Sequence, residues 1–217
     1  PQLREMDINP IIVDADGALV VDAKIVVEHS SIEPGNYQHL AILPYPADRE
    51  MEWPLRDGRH YVIRPLHPHD AEMLQDMVKH LSPESRYFRF ASTLRELSER
   101  MLARFTLIDY DREMALVAIY TERSPNDDGS FSEHERIIGV SRYVTNPDKR
   151  TCEFSLLVAD DFASQGLGSR LMHSIIEVAR SNGLASIEGM ILNDNTKMLA
   201  LMRKLDFTIK SSEEDRD

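Results

Sequence analysis

Thr151-Cys152-Glu153-Phe154-Ser155-Leu156-Leu157-Val158-Ala159, running into Asp160-Asp161-Phe162-Ala163-Ser164-Gln165-Gly166-Leu167-Gly168-Ser169-Arg170-Leu171-Met172, is the stretch that decides the fold. Its first part has the character of a strand. After it Leu167, Leu171, Met172, Ile175, Ile176 and Ala179 recur at helical spacing and mark a core-facing helix. Two of the chain's 9 glycines, Gly166 and Gly168, sit at the join. N–H groups at a helix start, with no Cβ in the way and a helix dipole behind them, can cradle phosphate oxygens. The loop lacks the Lys-Ser/Thr pair of a nucleotide-triphosphate loop and does not match G-x-G-x-x-G in register. From the glycines alone, a pyrophosphate cradle and a plain strand-to-helix turn remain equally open.

Working outward, Met114 to Tyr120 and Arg136 to Val144 are expected strands, joined by an acidic, turn-rich loop around Ser124 to Ser132. Ser186 to Leu192 is a further strand, Thr196 to Leu205 a helix with Met198, Leu201, Met202 and Leu205 inward, and Phe207 to Lys210 a last short strand. Upstream, Tyr61 to Arg64 is a strand and His69-Asp70 precede a helix to about Leu81. Ser82-Pro83 caps the next, and Leu94 to Phe105 carries a third helical pattern. Strands alternating with helices give an α/β layered fold with some parallel pairing. Near the N-terminus, Ile8 to Val13 and Leu19 to Val27 flank an Asp16-Gly17 turn, a hairpin signal. Between about Ser31 and Arg59, Pro34-Gly35, Pro44, Pro46 and Pro54 break the periodicity, so 31–59 is expected to be a linker.

Composition narrows the function. With 42% hydrophobic and 29% charged residues the 217-residue chain has an ordinary globular balance. A net charge of −12 argues against a nucleic-acid or anionic-membrane binder. It would suit a partner with a basic surface, or serve solubility alone. No apolar run is long enough to span a bilayer, and the first residues do not have the charged-then-apolar pattern of a signal. The single cysteine, Cys152, excludes an internal disulfide framework and points to a reducing, cytoplasmic home. Pro1 is not an initiator methionine, so the sequence is expected to be part of something longer.

The order of elements, with its glycine loop after the fourth main strand, resembles the GNAT superfamily of acyl-CoA-dependent N-acyltransferases, whose loop reads Arg/Gln-x-x-Gly-x-Gly/Ala. Gly166 and Gly168 match, while Ala163 stands at the first position and lacks its side chain. Asn195-x-x-Met198-x-x-Leu201-x-x-x-Leu205-x-Phe207 is similar to the second half of that signature; Asn195 matches the asparagine facing the CoA arm and is equally an N-cap. Leu81-Ser82-Pro83-Glu84-Ser85-Arg86-Tyr87 and Asp109-Tyr110-Asp111-Arg112-Glu113 resemble the C-terminal domain of bacterial Pat-type protein lysine acetyltransferases, fused there behind a region related to NDP-forming acyl-CoA synthetases. Asp7-Ile8-Asn9-Pro10 resembles the end of that region's ATP-grasp part, and Tyr37 to Ile42 with Pro44-Tyr45-Pro46 fits the junction.

The resemblance implies a mixed central sheet flanked by helices over 60–217, a linker over 31–59, and an ATP-grasp tail over 1–30. In complete ATP-grasp sites the residues matching Asp7 and Asn9 can hold magnesium; here no metal is expected. It implies acetyl-CoA as cosubstrate, held by Ala163, Ser164, Gln165, Gly166, Leu167, Gly168, Ser169, Arg170 and Asn195. Backbone N–H groups of Leu157, Val158 and Ala159 would meet the oxyanion where the strand splays. The acceptor would be a protein lysine on metabolic enzymes such as AMP-forming acyl-CoA synthetases.

Lysine's ammonium, with a pKa of about 10.4, must lose a proton before it attacks. Alternation puts Glu153, Ser155 and Leu157 on the face opposite Cys152, so Glu153 is the candidate base and a cysteine nucleophile is rejected. Burial would tune it upward; an exposed charge or a salt bridge is the other reading. Met202 stands where many superfamily members carry a proton-donating tyrosine. A small-molecule or protein N-terminal acetyltransferase, and a catalytically silent CoA-binding regulator, are the rival functions.

Overall fold

A computed structural model describes residues 2–15, 17–28, 43–92, 94–126 and 130–211. Asp16, Pro34-Gly35, Tyr37 to Ile42 and the polar tail from Ser212 lie outside them. Two compact units result, Pro1–Ala41 and Ile42–Asp217.

The first unit is two antiparallel pairs. Strand β1 (Gln2–Ile8) pairs with β4 (Ala23–Glu28), and β2 (Ile11–Asp14) with β3 (Gly17–Val20). The expected hairpin at Gly17 is therefore present, tightened by the Gly17 N–H donating to Asp14 Oδ1 at 3.0 Å.

The second unit is a six-stranded sheet in the order β10-β9-β8-β7-β6-β5. Its strands are β5 (Met51–Pro54), β6 (His60–Pro65), β7 (Glu113–Pro125), β8 (Phe131–Thr145), β9 (Thr151–Val158) and β10 (Ser186–Glu188). Neighbours are antiparallel except β9 and β10, which are parallel. The helices are α1 (Ala71–His80), α2 (Pro83–Phe90), α3 (Glu99–Thr106), α4 (Leu167–Ser181) and α5 (Thr196–Lys204). Leu167, Leu171, Met172, Ile175, Val178 and Ala179 of α4 are buried with Ile137 and Ile138 of β8 in one core. This is the mixed sheet flanked by helices that the sequence predicts.

Five expectations change. Of the predicted linker, Met51–Pro54 is the sheet's edge strand, paired with His60–Ile63; prolines are tolerated there because an edge need not donate on both sides. The helix expected from Leu94 begins only at Glu99, where the Ser98 hydroxyl accepts from the Met101 N–H at 3.3 Å. The acidic turn-rich segment continues the β7–β8 ladder out to Pro125 and Phe131, with 127–129 outside the described residues. Phe207–Lys210 is not a strand, and the strand expected to run to Leu192 stops at Glu188.

Asp70, at the start of α1, ties that helix to β6. It is buried and accepts from Arg64 Nη1 and Nη2, each at 2.7 Å, and from the His67 N–H at 2.7 Å. On the other side, Leu171 is 0% exposed. Leu171→Ala is expected to cost about 2–5 kcal/mol, read from urea unfolding monitored by circular dichroism.

Candidate active site

Strands β9 and β10 pair only from Thr151–Glu153 to Ser186–Glu188 and then part. The Phe154 ring fills the space beside Gly189, where an added Cβ would fall 2.6 Å from the ring. A side chain at Gly189 would collide with it, and on the far side Phe154 meets Phe207 at 5.5 Å between centroids. Beyond Glu153 the second edge of β9 has no strand partner among the described residues. Its unpaired peptide groups line a cleft of about 510 Å³.

One wall of the cleft is Leu156, Leu157 and Val158; its floor is Ala163, Ser164, Gly166, Gly168 and Ser169. Asn195, Lys197, Met198, Leu201 and Lys204 come from α5 and its cap, and Glu84, Ser85, Phe88 and Arg89 from α2. Gly166 is the cap of α4 with φ 87°, a left-handed conformation natural to glycine, and Ser164 is also left-handed at φ 64°. The N–H groups of Leu167, Gly168 and Ser169 have no intrahelical acceptor in such a first turn, so they present donors and the dipole's positive end. Asn195 Oδ1 accepts from the Met198 N–H at 3.1 Å while the residue lines the cleft, so capping and facing the cleft coexist.

Other expected residues lie elsewhere. The Leu167 side chain is buried in the core, leaving only its backbone to the first turn, and Gln165 does not line the cleft. Arg170 turns away, its guanidinium 3.5 Å from the Trp53 ring centroid. The Ala159 N–H is taken, donating to Ile138 O at 2.9 Å. Alternation along an antiparallel ladder turns the Leu157 N–H the same way and the Val158 N–H toward the open edge. Val158 alone of the three offers a free donor there.

Glu153 sits at the last paired position of β9 and is exposed, so the expected burial is not found. Cys152, by contrast, is 0% exposed, and burial, with the Glu188 carboxylate adding to it, pushes its thiol up to about 11.

Sequence reasoning missed two groups. Arg89 is half-buried and donates from Nη2 to Ser155 Oγ at 3.2 Å. Burial lowers its pKa, and the charge of Glu153 works against that shift. Among the described residues no carboxylate pairs with it directly. Asp160 closes the wall between β9 and α2, accepting from the Ser82 N–H at 2.6 Å and from Ser85 Oγ at 2.5 Å. The charged spacing of α2 held a hint of an inward arginine, but nothing local marked Asp160 as a clasp over so long a sequence separation. Among the described residues no group of His, Cys, Asp and Glu is placed to hold a metal ion, and no helix is long and apolar enough to cross a membrane.

The chain matches the acetyltransferase (GNAT) family over residues 79–207. It is 35% identical over 161 residues to an acetyltransferase of Pseudomonas aeruginosa, covering 74% of this chain and 82% of that protein. Acetyltransferase Pat of Mycolicibacterium smegmatis is 27% identical over 152 residues, 70% of this chain but only 42% of Pat. The crystal structure of the GNAT domain of S. lividans PAT superposes with a TM-score of 0.68 at 29% identity, covering 79% of this chain and 95% of that one.

Gly166→Ala forces an L-residue into the left-handed region at a cost of about 1–2 kcal/mol, and is expected to weaken acetyl-CoA binding about tenfold by titration calorimetry. Gly168→Ala adds a Cβ whose neighbours stand 3.4 to 3.7 Å away, and is expected not to lower the melting temperature.

Proposed function

The chain belongs to the GNAT family of acetyltransferases, whose acyl donor is acetyl-CoA, and from that premise we propose that it is a protein lysine Nε-acetyltransferase acting on metabolic enzymes such as AMP-forming acyl-CoA synthetases. The likeness to Pat supports the acceptor class. The observation that carries the reading is Glu153: a carboxylate at the point where β9 and β10 part, open to solvent, and electrostatically coupled to a half-buried arginine. Sites for small ligands enclose most of the ligand's surface. A base standing in the open suits a side chain presented on another protein.

Acetyl-CoA supplies an acyl thioester. Val158, Ala163, Ser164, Gly166, Gly168, Ser169 and Asn195 line the place for it, with the α4 first turn donating to its diphosphate. Glu153 takes a proton from the lysine ammonium, directly or through water, freeing the nitrogen lone pair. The amine attacks the thioester carbonyl carbon, and the Val158 N–H donates to the oxygen that gains charge. The carbon–sulfur bond then breaks and the nitrogen gives up its second proton to water, leaving an amide and a thiolate. Met202 is 1% exposed and holds no transferable proton, so thiolate departs unassisted or takes its proton from water.

The same reading assigns residues 1–30 to the tail of an ATP-grasp domain of a synthetase-like region. The Asp7-Ile8-Asn9-Pro10 segment at the end of β1 supports it.

Glu153→Gln is expected to lower kcat about 10²- to 10⁴-fold while acetyl-CoA affinity stays within about twofold. Acetyl transfer to a lysine-bearing acyl-CoA synthetase is measured beside transfer to free amines and peptide N-termini. Faster turnover of the free amines would remove the protein-lysine reading, and unchanged turnover in Glu153→Gln would remove the base.

A further inference from the structure

The GNAT loop pattern begins with an arginine or glutamine near the diphosphate, and Ala163 leaves that place without a polar side chain. A different segment reaches it. The turn between β5 and β6 is locked by the Leu55 N–H donating to Arg59 O at 2.6 Å and the Gly58 N–H to Leu55 O at 3.1 Å, with Gly58 left-handed at φ 86°. Leu55 is buried and anchors the turn in the core. Arg59 grips Asp57 through Nε and Nη2 at 2.9 and 2.7 Å and lies over the Phe162 ring at 4.9 Å. Phe162 is buried in the 3₁₀ turn that leads into the glycine loop. The hairpin is thus stapled to the segment it overhangs.

Arg56 projects from this turn into the cleft. Its Nη1 donates to Ser164 O at 3.0 Å, and its Nε stands 3.6 Å from where a Cβ of Gly166 would be. Asp57, the adjacent carboxylate, is occupied by Arg59, and no carboxylate pairs with Arg56 among the described residues. A guanidinium has five donors in one plane, and a single carbonyl uses one of them. The others remain beside the amides of the α4 first turn, where a bidentate contact with phosphate oxygens is the natural use.

We propose that Arg56 supplies the diphosphate-binding cation that position 163 lacks, making the β5–β6 turn a working part of the acyl-CoA site. This rests on the glycine loop being that site. A charge-assisted contact of this kind is expected to make Arg56→Ala bind acetyl-CoA about 10- to 100-fold more weakly by titration calorimetry, with a shallower dependence on salt and a melting temperature within about 2 °C of wild type. Arg56→Lys, which keeps the charge and loses the fork, should fall between. The decisive variant is Arg56→Ala with Ala163→Arg, in which the guanidinium returns from the loop itself and most of the affinity should return with it. Arg56→Ala binding as tightly as wild type, or a loss that the guanidinium restored through Ala163→Arg does not reverse, overturns the inference and leaves the acyl-CoA site standing. Absence of acetyl-CoA binding in wild type overturns both.

Discussion

Two parallel strands that pair and then separate govern this molecule. Beside β9, β10 makes a ladder of 3 residues and leaves it, and at the next position Gly189, having no Cβ, makes room for the Phe154 ring. Peptide groups on an interior strand must bond to something, and here the partner strand has been withdrawn. The opened edge can pair with an extended ligand as another strand would. The same parting leaves Glu153 at the last paired position, the Val158 N–H pointing outward, and the glycine loop directly beyond the strand's end. The proposed base, the proposed oxyanion donor and the proposed anion cradle therefore share one origin.

The charge around that opening runs against the chain's average. The whole carries −12, yet Arg56, Arg89, Lys197 and Lys204 converge on the cleft. Local field, and not net charge, decides what a cleft attracts. Behind it lies a second buried cation. Arg142 donates to Phe105 O and stacks on the Phe105 ring at 5.2 Å, and burial pushes its pKa down to about 10, with the Glu113 carboxylate opposing that shift. Helix α2 is held to the end of β9 by Asp160, whose negative charge meets the positive end of the helix. One carboxylate thereby fixes the wall that carries Arg89.

The central strands, the α4 core stripe and the caps of α2 and α5 were legible in the residues, since alternation, helical spacing and capping chemistry act over a few positions. The glycine loop was legible too, because a left-handed turn before a helix favours glycine at Gly166. Roles that depend on what a group meets across space were not. Ala159 and Leu157 looked like oxyanion donors along with Val158, but ladder pairing spends two of the three. Arg170 lies within the loop motif yet serves as a lid on Trp53. The proline-punctuated stretch before Arg59 looked like linker, and its short edge strand was hidden because edges tolerate the residues that sequence patterns treat as breakers.

Local sequence was enough to give the α/β layering, the glycine loop and the acid on the strand before it, because each is written in neighbouring residues whose backbone geometry follows from their own chemistry. Tertiary structure alone decided which N–H stays free, which arginine enters the cleft, and that Glu153 meets solvent. Those outcomes come from pairing register and from the packing of the Phe154 ring over Gly189, contacts between segments that no local pattern encodes.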